Sequence, residues 1–156
     1  LNNMKLIVII TLLMLCSPAF AYHKFSEPYF KNSEDVFEFV TNGNHQVYIL
    51  FIYNPQWAAE EIHHPMKARY DLERSELQKI IGQYGRNIHY SEINVASGDF
   101  TQLLQEVGIN TADLDKYPVT VAIDDGHGVW VQGPREYHRI KQVIDQFEAN
   151  PESHWY

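Results

Sequence analysis

Seven apolar residues stand in unbroken succession at Val47-Tyr48-Ile49-Leu50-Phe51-Ile52-Tyr53. The run has strand length and is rich in β-branched and aromatic side chains, which suit an extended backbone. A strand with one wet face alternates apolar and polar residues, whereas a continuous apolar run has to be covered on both faces. The segment therefore demands a central strand within a helix–sheet–helix layering, and the rest of the chain must supply the covers.

It does so in alternation. Tyr22–Lys31 reads as an irregular or short-strand lead-in. Asn32 and Ser33 are good helix caps, Glu34 and Asp35 suit the positive end of the helix dipole, and Val36, Phe37, Phe39 and Val40 give the helix a buried side. Thr41-Asn42-Gly43-Asn44 ends it. After the central strand, a helical segment extends from about Trp57 to Tyr84, with Ile62, Met66 and Tyr70 recurring every four residues and Leu77, Ile80, Ile81 and Tyr84 continuing the stripe. Pro65 must kink or break it, and Gly82 and Gly85 close it. Ile88–Val95 reads as the next strand, with His89, Ser91 and Asn94 as its polar members. Gly98-Asp99 starts a helix that aligns Phe100, Leu103, Leu104 and Val107 and stops at Gly108. Val119–Ile123 and Val129–Gln132 are short strands joined by the hairpin signal Asp124-Asp125-Gly126-His127-Gly128. Gly133-Pro134 opens a last helix, with Tyr137, Ile140, Ile144 and Phe147 facing inward. This order predicts an α/β fold: a mixed central sheet flanked by helices in one domain, without repeats or linkers.

The first 21 residues read as a signal peptide. Met4-Lys5 forms a minimal positive region, Leu6 through Cys16 is apolar apart from Thr11, and Ser17-Pro18 breaks the helix before Ala19-Phe20-Ala21. Cleavage is expected before Tyr22, and the apolar run is short of the ~20 residues of a spanning helix, so no stable membrane insertion is expected afterwards. Leu1-Asn2-Asn3 precedes the first methionine and reads as upstream frame. Cys16 is the only cysteine of the 156 residues and leaves with the leader. The processed protein would then enter an oxidising compartment with no disulfide, thiol nucleophile or cysteine metal ligand.

Composition excludes further classes. A chain that is 45% hydrophobic and 21% charged is neither disordered nor fibrous. Its net charge of −8 becomes more acidic still once Lys5 is removed, so nucleic acid and anionic membrane surfaces, which need a basic footprint, are not expected partners. The sequence holds no nucleophile elbow, phosphate loop, dinucleotide fingerprint or His-Glu-x-x-His, and no cofactor is implied.

The stretch Ile49-Leu50-Phe51-Ile52-Tyr53-Asn54-Pro55-Gln56-Trp57-Ala58-Ala59-Glu60 resembles, without a gap, the protein-disulfide-isomerase sequence Leu-Val-Glu-Phe-Tyr-Ala-Pro-Trp-Cys-Gly-His-Cys. Pro65 lies five residues past Glu60, as the kinking proline does past the second cysteine in that family. Tyr117-Pro118-Val119 resembles the cis-proline beside the thioredoxin active site, and Gln132-Gly133-Pro134-Arg135 resembles the Gly-x-Arg close of isomerase domains. The resemblance covers roughly residues 34–147 and implies a thioredoxin-like fold over 33–148, after a lead-in over 22–32 and before a tail over 149–156. Trp57 and Glu60 occupy the two cysteine positions, and Phe51 stands where isomerases carry a buried glutamate. The resemblance thus implies a redox-inactive branch, similar to the thioredoxin domain of Windbeutel-type endoplasmic-reticulum chaperones, which share a loop such as Asp113-Leu114-Asp115-Lys116-Tyr117-Pro118.

On that likeness Tyr53, Gln56, Trp57, Tyr117 and Pro118 should meet on a surface that takes up an extended polypeptide, with a cis proline leaving backbone groups free to pair with it. Core packing of Trp57 is the competing account. No catalytic residue is assigned. Glu60, Glu61, His63 and His64 crowd one turn, but a solvated helix face accounts for them, and no metal is assigned. Asp124, Asp125 and His127 are ordinary hairpin-tip residues. The expected function is a non-catalytic module binding polypeptide clients in the secretory pathway: the endoplasmic-reticulum lumen, the exterior, or a bacterial periplasm. The alternative is an assembly subunit using the fold as an interaction block with a partner subunit, and a homodimer stays open.

Overall fold

The structure, a computed structural model, describes residues 30–41, 46–55, 65–84 and 88–149. The leader with its cleavage site, Gln56, Trp57, Glu60, Glu61, His63 and His64 lie outside the described residues.

The central run forms β1 (Val47–Tyr53), as its composition demands. It is parallel to β2 (Ile88–Asn94), pairing Val47 with Ile88 through Tyr53 with Asn94. On its other side it is antiparallel to β3 (Val119–Asp124), which pairs antiparallel with β4 (His127–Gln132), giving the sheet order β2-β1-β3-β4. Ile49, Leu50, Phe51 and Ile52 are each 0% exposed. From Val47 to Ile52 neither face of β1 meets water.

Two helices cover each face. Leu50 and Ile52 pack with Val36 of α1 (Ser33–Thr41) and with Leu103 and Leu104 of α3 (Thr101–Val107). Ile49 and Phe51 pack with Tyr70 and Leu77 of α2 (Pro65–Ile81) and with Ile140 and Ile144 of α5 (Glu136–Ala149). The α1 cap works as its sequence reads, with Asn32 Oδ1 accepting the Asp35 N–H at 3.0 Å. Ser33 is buried and bridges the two helices of its layer: its Oγ accepts the Leu103 N–H at 3.0 Å and donates to the Asp99 carbonyl at 3.3 Å. Beside it Asn32 and Asp99 form a parallel bridge, and Gly98 comes so close that a Cβ there would lie 2.0 Å from the Lys31 carbonyl oxygen.

Several boundaries differ from the sequence expectation for local reasons. Helix α3 begins at Thr101 rather than at Gly98-Asp99, because Asp99 is held in the bridge and its Oδ1 accepts the Thr101 N–H at 3.1 Å. The loop expected before Tyr117 contains a short helix, α4 (Thr111–Leu114), capped by Asn110 Oδ1 on the Ala112 N–H at 3.0 Å. The hairpin is tighter than expected: the strands extend to an Asp124–His127 pair, leaving only Asp125 (φ 48°) and Gly126 (φ 79°) in the turn. Pro134 does not open the last helix. Arg135 follows it with a left-handed φ of 61°, and α5 starts at Glu136.

That start is controlled by two buried carboxyls that the sequence pattern did not single out. Glu73 of α2 is 3% exposed, and its Oε1 accepts the Arg135 N–H at 2.7 Å, with the N–H groups of Glu136 and Tyr137 also facing it. Glu73 thus caps α5 from a neighbouring helix. Burial raises its pKa, and those N–H groups pull it partly back. Glu136, 1% exposed, has Oε1 accepting the Thr120 hydroxyl at 2.8 Å, and burial chiefly, with the nearby Glu73 charge, pushes its pKa up to about 9.

A folded-state pKa above the unfolded one means stability that is complete in acid and lost as pH climbs through about 9. We therefore expect thermal stability to fall from pH 5 to pH 9, with a slope from this group of at most about 1.4 kcal/mol per pH unit. Glu136→Gln should flatten that slope and melt higher than the parent at pH 8. A parent melting temperature that rises with pH over this window would contradict the assignment. Gly98→Ala, by forcing Lys31 away, should cost about 1–3 kcal/mol in denaturant unfolding.

Candidate functional site

The carboxyl end of β1 is where the chain leaves the centre of the sheet and where sequence reasoning placed its candidate surface. Three of the five expected residues are described there. The β1–β3 ladder closes with Ile52 opposite Val119, which puts Tyr53 and Pro118 together at the next position along the sheet end. Tyr53 is half-buried, Tyr117 is half-buried and Pro118 is buried. Gln56 and Trp57 lie outside the described residues, so their part in this surface stays an expectation.

A polar knot holds the end together. Tyr70, 2% exposed on α2, donates its hydroxyl to the Leu114 carbonyl at 3.0 Å and accepts the Asn54 N–H at 3.4 Å. Asn54, 7% exposed, donates through Nδ2 to Asp115 Oδ1 at 3.0 Å. Gln132 of β4 donates through Nε2 to the carbonyls of Asp113 (3.0 Å) and Tyr117 (3.2 Å). The loop 113–117 is therefore tied to β1, α2 and β4 at once.

Around the knot stands an aromatic and cationic rim. The Arg69 guanidinium lies 4.6 Å from the Tyr117 ring centroid. The Tyr53 ring is 5.8 Å from Tyr70 in an edge-on arrangement, and the Arg74 guanidinium is 5.3 Å from the Tyr53 centroid. Arg74 in turn pairs with Glu92 at 2.8 Å, while Glu92 also accepts the Tyr90 hydroxyl at 2.8 Å and the Gln78 amide at 3.3 Å. On the opposite side of Asn54 is an open pocket of about 290 Å³, lined by Asn54, Val95, Ala96, Phe100, Leu104 and Thr111 among others.

One expectation is overturned. The Tyr117–Pro118 bond is trans: among the described residues there is no cis peptide bond. An X–Pro bond has only a small intrinsic preference, so surrounding contacts decide the isomer. Here the Tyr117 carbonyl accepts from Gln132, and its N–H reaches the Asp113 carbonyl at 3.4 Å. The backbone expected to be free for pairing with a bound strand is already used within the chain. Sequence reasoning also missed Arg69, Arg74 and Glu92. Glu92 is not among the polar strand members read from the sequence, although a carboxylate between Ser91 and Ile93 in a largely buried strand calls for a cation beside it.

No family model matches the sequence, and no curated protein matches it. Solved structures do. Mitochondrial thioredoxin 3 from Saccharomyces cerevisiae superposes with a TM-score of 0.52 at 14% identity, over 78% of this chain and 95% of that one. Thioredoxin from Schistosoma mansoni gives 0.51 at 14% identity, over 76% and 92%. A designed protein gives 0.55 at 11% identity, over 79% and 98%. The chain has a thioredoxin-like fold: a mixed four-stranded sheet flanked by helices in one domain.

The knot makes a direct prediction. Tyr70→Phe leaves the buried Asn54 N–H and Leu114 carbonyl short of one partner and should cost about 1–3 kcal/mol in chemical unfolding. Amide exchange should quicken at Asn54. An unchanged unfolding midpoint would mean that the hydroxyl does not hold the loop.

Proposed function

We propose that the protein is a non-redox, thioredoxin-like binding module that takes polypeptide segments on the aromatic and cationic rim at the end of β1. The observation that carries this reading is the joint one at the sheet end. The sequence puts Trp57 and Glu60 where the resemblance expects two thiols, and Tyr53, Tyr117 and Arg69 stand around the described part. Thiol–disulfide transfer needs a thiolate, and the chain's one cysteine, Cys16, lies in the leader-like segment. Aromatic rings with polar tips, beside a guanidinium, suit recognition of peptide side chains with acidic or aromatic character. The satisfied backbone of Tyr117 means that such recognition runs through side chains rather than through strand addition.

The secretory pathway, reached through the signal-peptide-like leader, is the proposed location, and the Windbeutel-type chaperone branch is the proposed kinship. Both rest on the sequence features alone.

Two measurements test the reading. The purified protein should neither reduce insulin nor reactivate scrambled ribonuclease above background; measurable turnover would sink the non-redox assignment. In fluorescence titrations with unfolded-protein peptides, Trp57→Ala and Tyr117→Ala should each weaken binding by ~2 kcal/mol, about thirtyfold, with melting temperature little changed. Unchanged affinity with an unchanged melt would remove the rim as the binding surface, and a large fall in melting temperature for Trp57→Ala would assign that ring to the core instead.

A further inference from the structure

The sheet has a second feature that its fold does not explain. Among the described residues, strand β4 lies at the end of the order β2-β1-β3-β4, with Val129 41% and Trp130 44% exposed. Edge strands in monomeric proteins are blunted by lysine, proline, bulges or inward charges, because unpaired backbone groups otherwise recruit another strand. From His127 to Gln132 this strand has no lysine, no proline and no carboxylate, in a chain of net charge −8, and its register with β3 runs without a bulge from Gln132 to His127. It is neutral, regular and apolar.

The two-residue turn sets which backbone groups point outward. Its closing pair, Asp124 with His127, is of the hydrogen-bonded kind, and alternation along an antiparallel ladder then turns the N–H and C=O of Gly128, Trp130 and Gln132 away from β3. These are the groups a new strand would meet. The sequence around them, Gly128-Val129-Trp130-Val131-Gln132, is nearly symmetric about Trp130.

We propose that a second copy of this chain occupies this edge, with two β4 strands antiparallel about a dyad at Trp130 to make one eight-stranded sheet. In that register Trp130 stands opposite Trp130 of the second copy on the α1/α3 face. On the other face Val129 meets Val131, and Val131 meets Val129. Gly128 leaves room for Gln132. Isologous contacts require this self-complementarity, which a foreign strand would not. The rim agrees. The same dyad brings the exposed turn residue Asp125 of one copy towards Arg135 of the other, and neither side chain makes an ion pair among the described residues. The acidic bodies are thus joined at a neutral seam closed by two opposite-charge contacts. A six-residue edge is small against the roughly 1,200–2,000 Å² of a stable interface, so the dimer is reversible at about micromolar concentration. The inference does not depend on the peptide-binding reading, since it rests on the outward backbone of β4 rather than on the rim at the end of β1.

Sedimentation velocity of the purified protein across a micromolar concentration series tests it. The expected result is a monomer–dimer equilibrium. Trp130→Lys should weaken it by roughly a hundredfold or more, since two such anchors meet at the dyad, with an unchanged melt because the ring is exposed. Arg135→Asp should weaken it roughly three- to tenfold, and adding Asp125→Lys should restore it, a rescue that a fold defect would not give. A monomer at every concentration, a dimer indifferent to Trp130→Lys, or a charge reversal without rescue would each overturn the proposal.

Discussion

Everything in the molecule follows from burying β1 on both faces. A strand in which four successive residues have no solvent exposure must be covered by two independent layers, so the chain has to send helices to both sides. It also has to move β2 and β3 to either flank of the first strand. The parallel β1–β2 connection passes over one face through α2, and the return to β3 passes over the other through α3. The ends of β1 are then the only places where its backbone can approach the surface. The candidate site lies at one of these ends for that reason, before any chemistry is considered.

The two layers are held differently. The α1/α3 side is an apolar cluster joined by one serine hydroxyl at Ser33. The α2/α5 side draws ionisable groups inward, with Glu73 against the start of α5, Glu136 held uncharged at neutral pH on Thr120, and the partly buried Arg74–Glu92 pair beside Phe51 and Tyr53. Ionisable groups drawn inward contribute little net stability compared with apolar packing of the same volume. What they supply is position. Glu73 meets the N–H groups of Arg135, Glu136 and Tyr137 only if α5 begins there, in the turn where Arg135 accepts a left-handed backbone.

Local pattern made most of the fold legible, and the misses arise partly from short-range detail and partly from contacts distant in sequence. The central strand, the capped first helix, the inward stripe of α5 and the hairpin all follow from residue order over a few positions. The short α4 had a readable cap in Asn110 but no periodic stripe. Pro134 reads as a first-turn proline, but Glu73, 62 residues before Arg135 in sequence, takes the N–H groups of the residues that follow it. The trans Tyr117–Pro118 backbone is engaged by Gln132 and Asp113, contacts that the dipeptide itself does not show. At the site, Tyr53 and Tyr117 were readable from the resemblance. Tyr70 read only as part of an apolar stripe, because its hydroxyl partners lie 16 and 44 residues distant. Long-range polar contacts leave no periodic trace in a sequence.

The trans bond at Pro118 and the knot beneath it bear on what kind of recognition this sheet end can support. A groove that binds a peptide by strand addition needs backbone donors and acceptors left over at its floor. Here Gln132 and Asp113 consume those of Tyr117, and Tyr70 and Asp115 engage Asn54. Backbone pairing would cost the internal bonds it replaces, with no net gain. Side chains are what the described rim still presents: the Tyr117 ring under Arg69 and the half-buried Tyr53 ring beside Arg74. Selectivity from such a surface comes from ring stacking and guanidinium placement. It therefore depends on the shape of a loop that four hydrogen bonds to β1, α2 and β4 hold still.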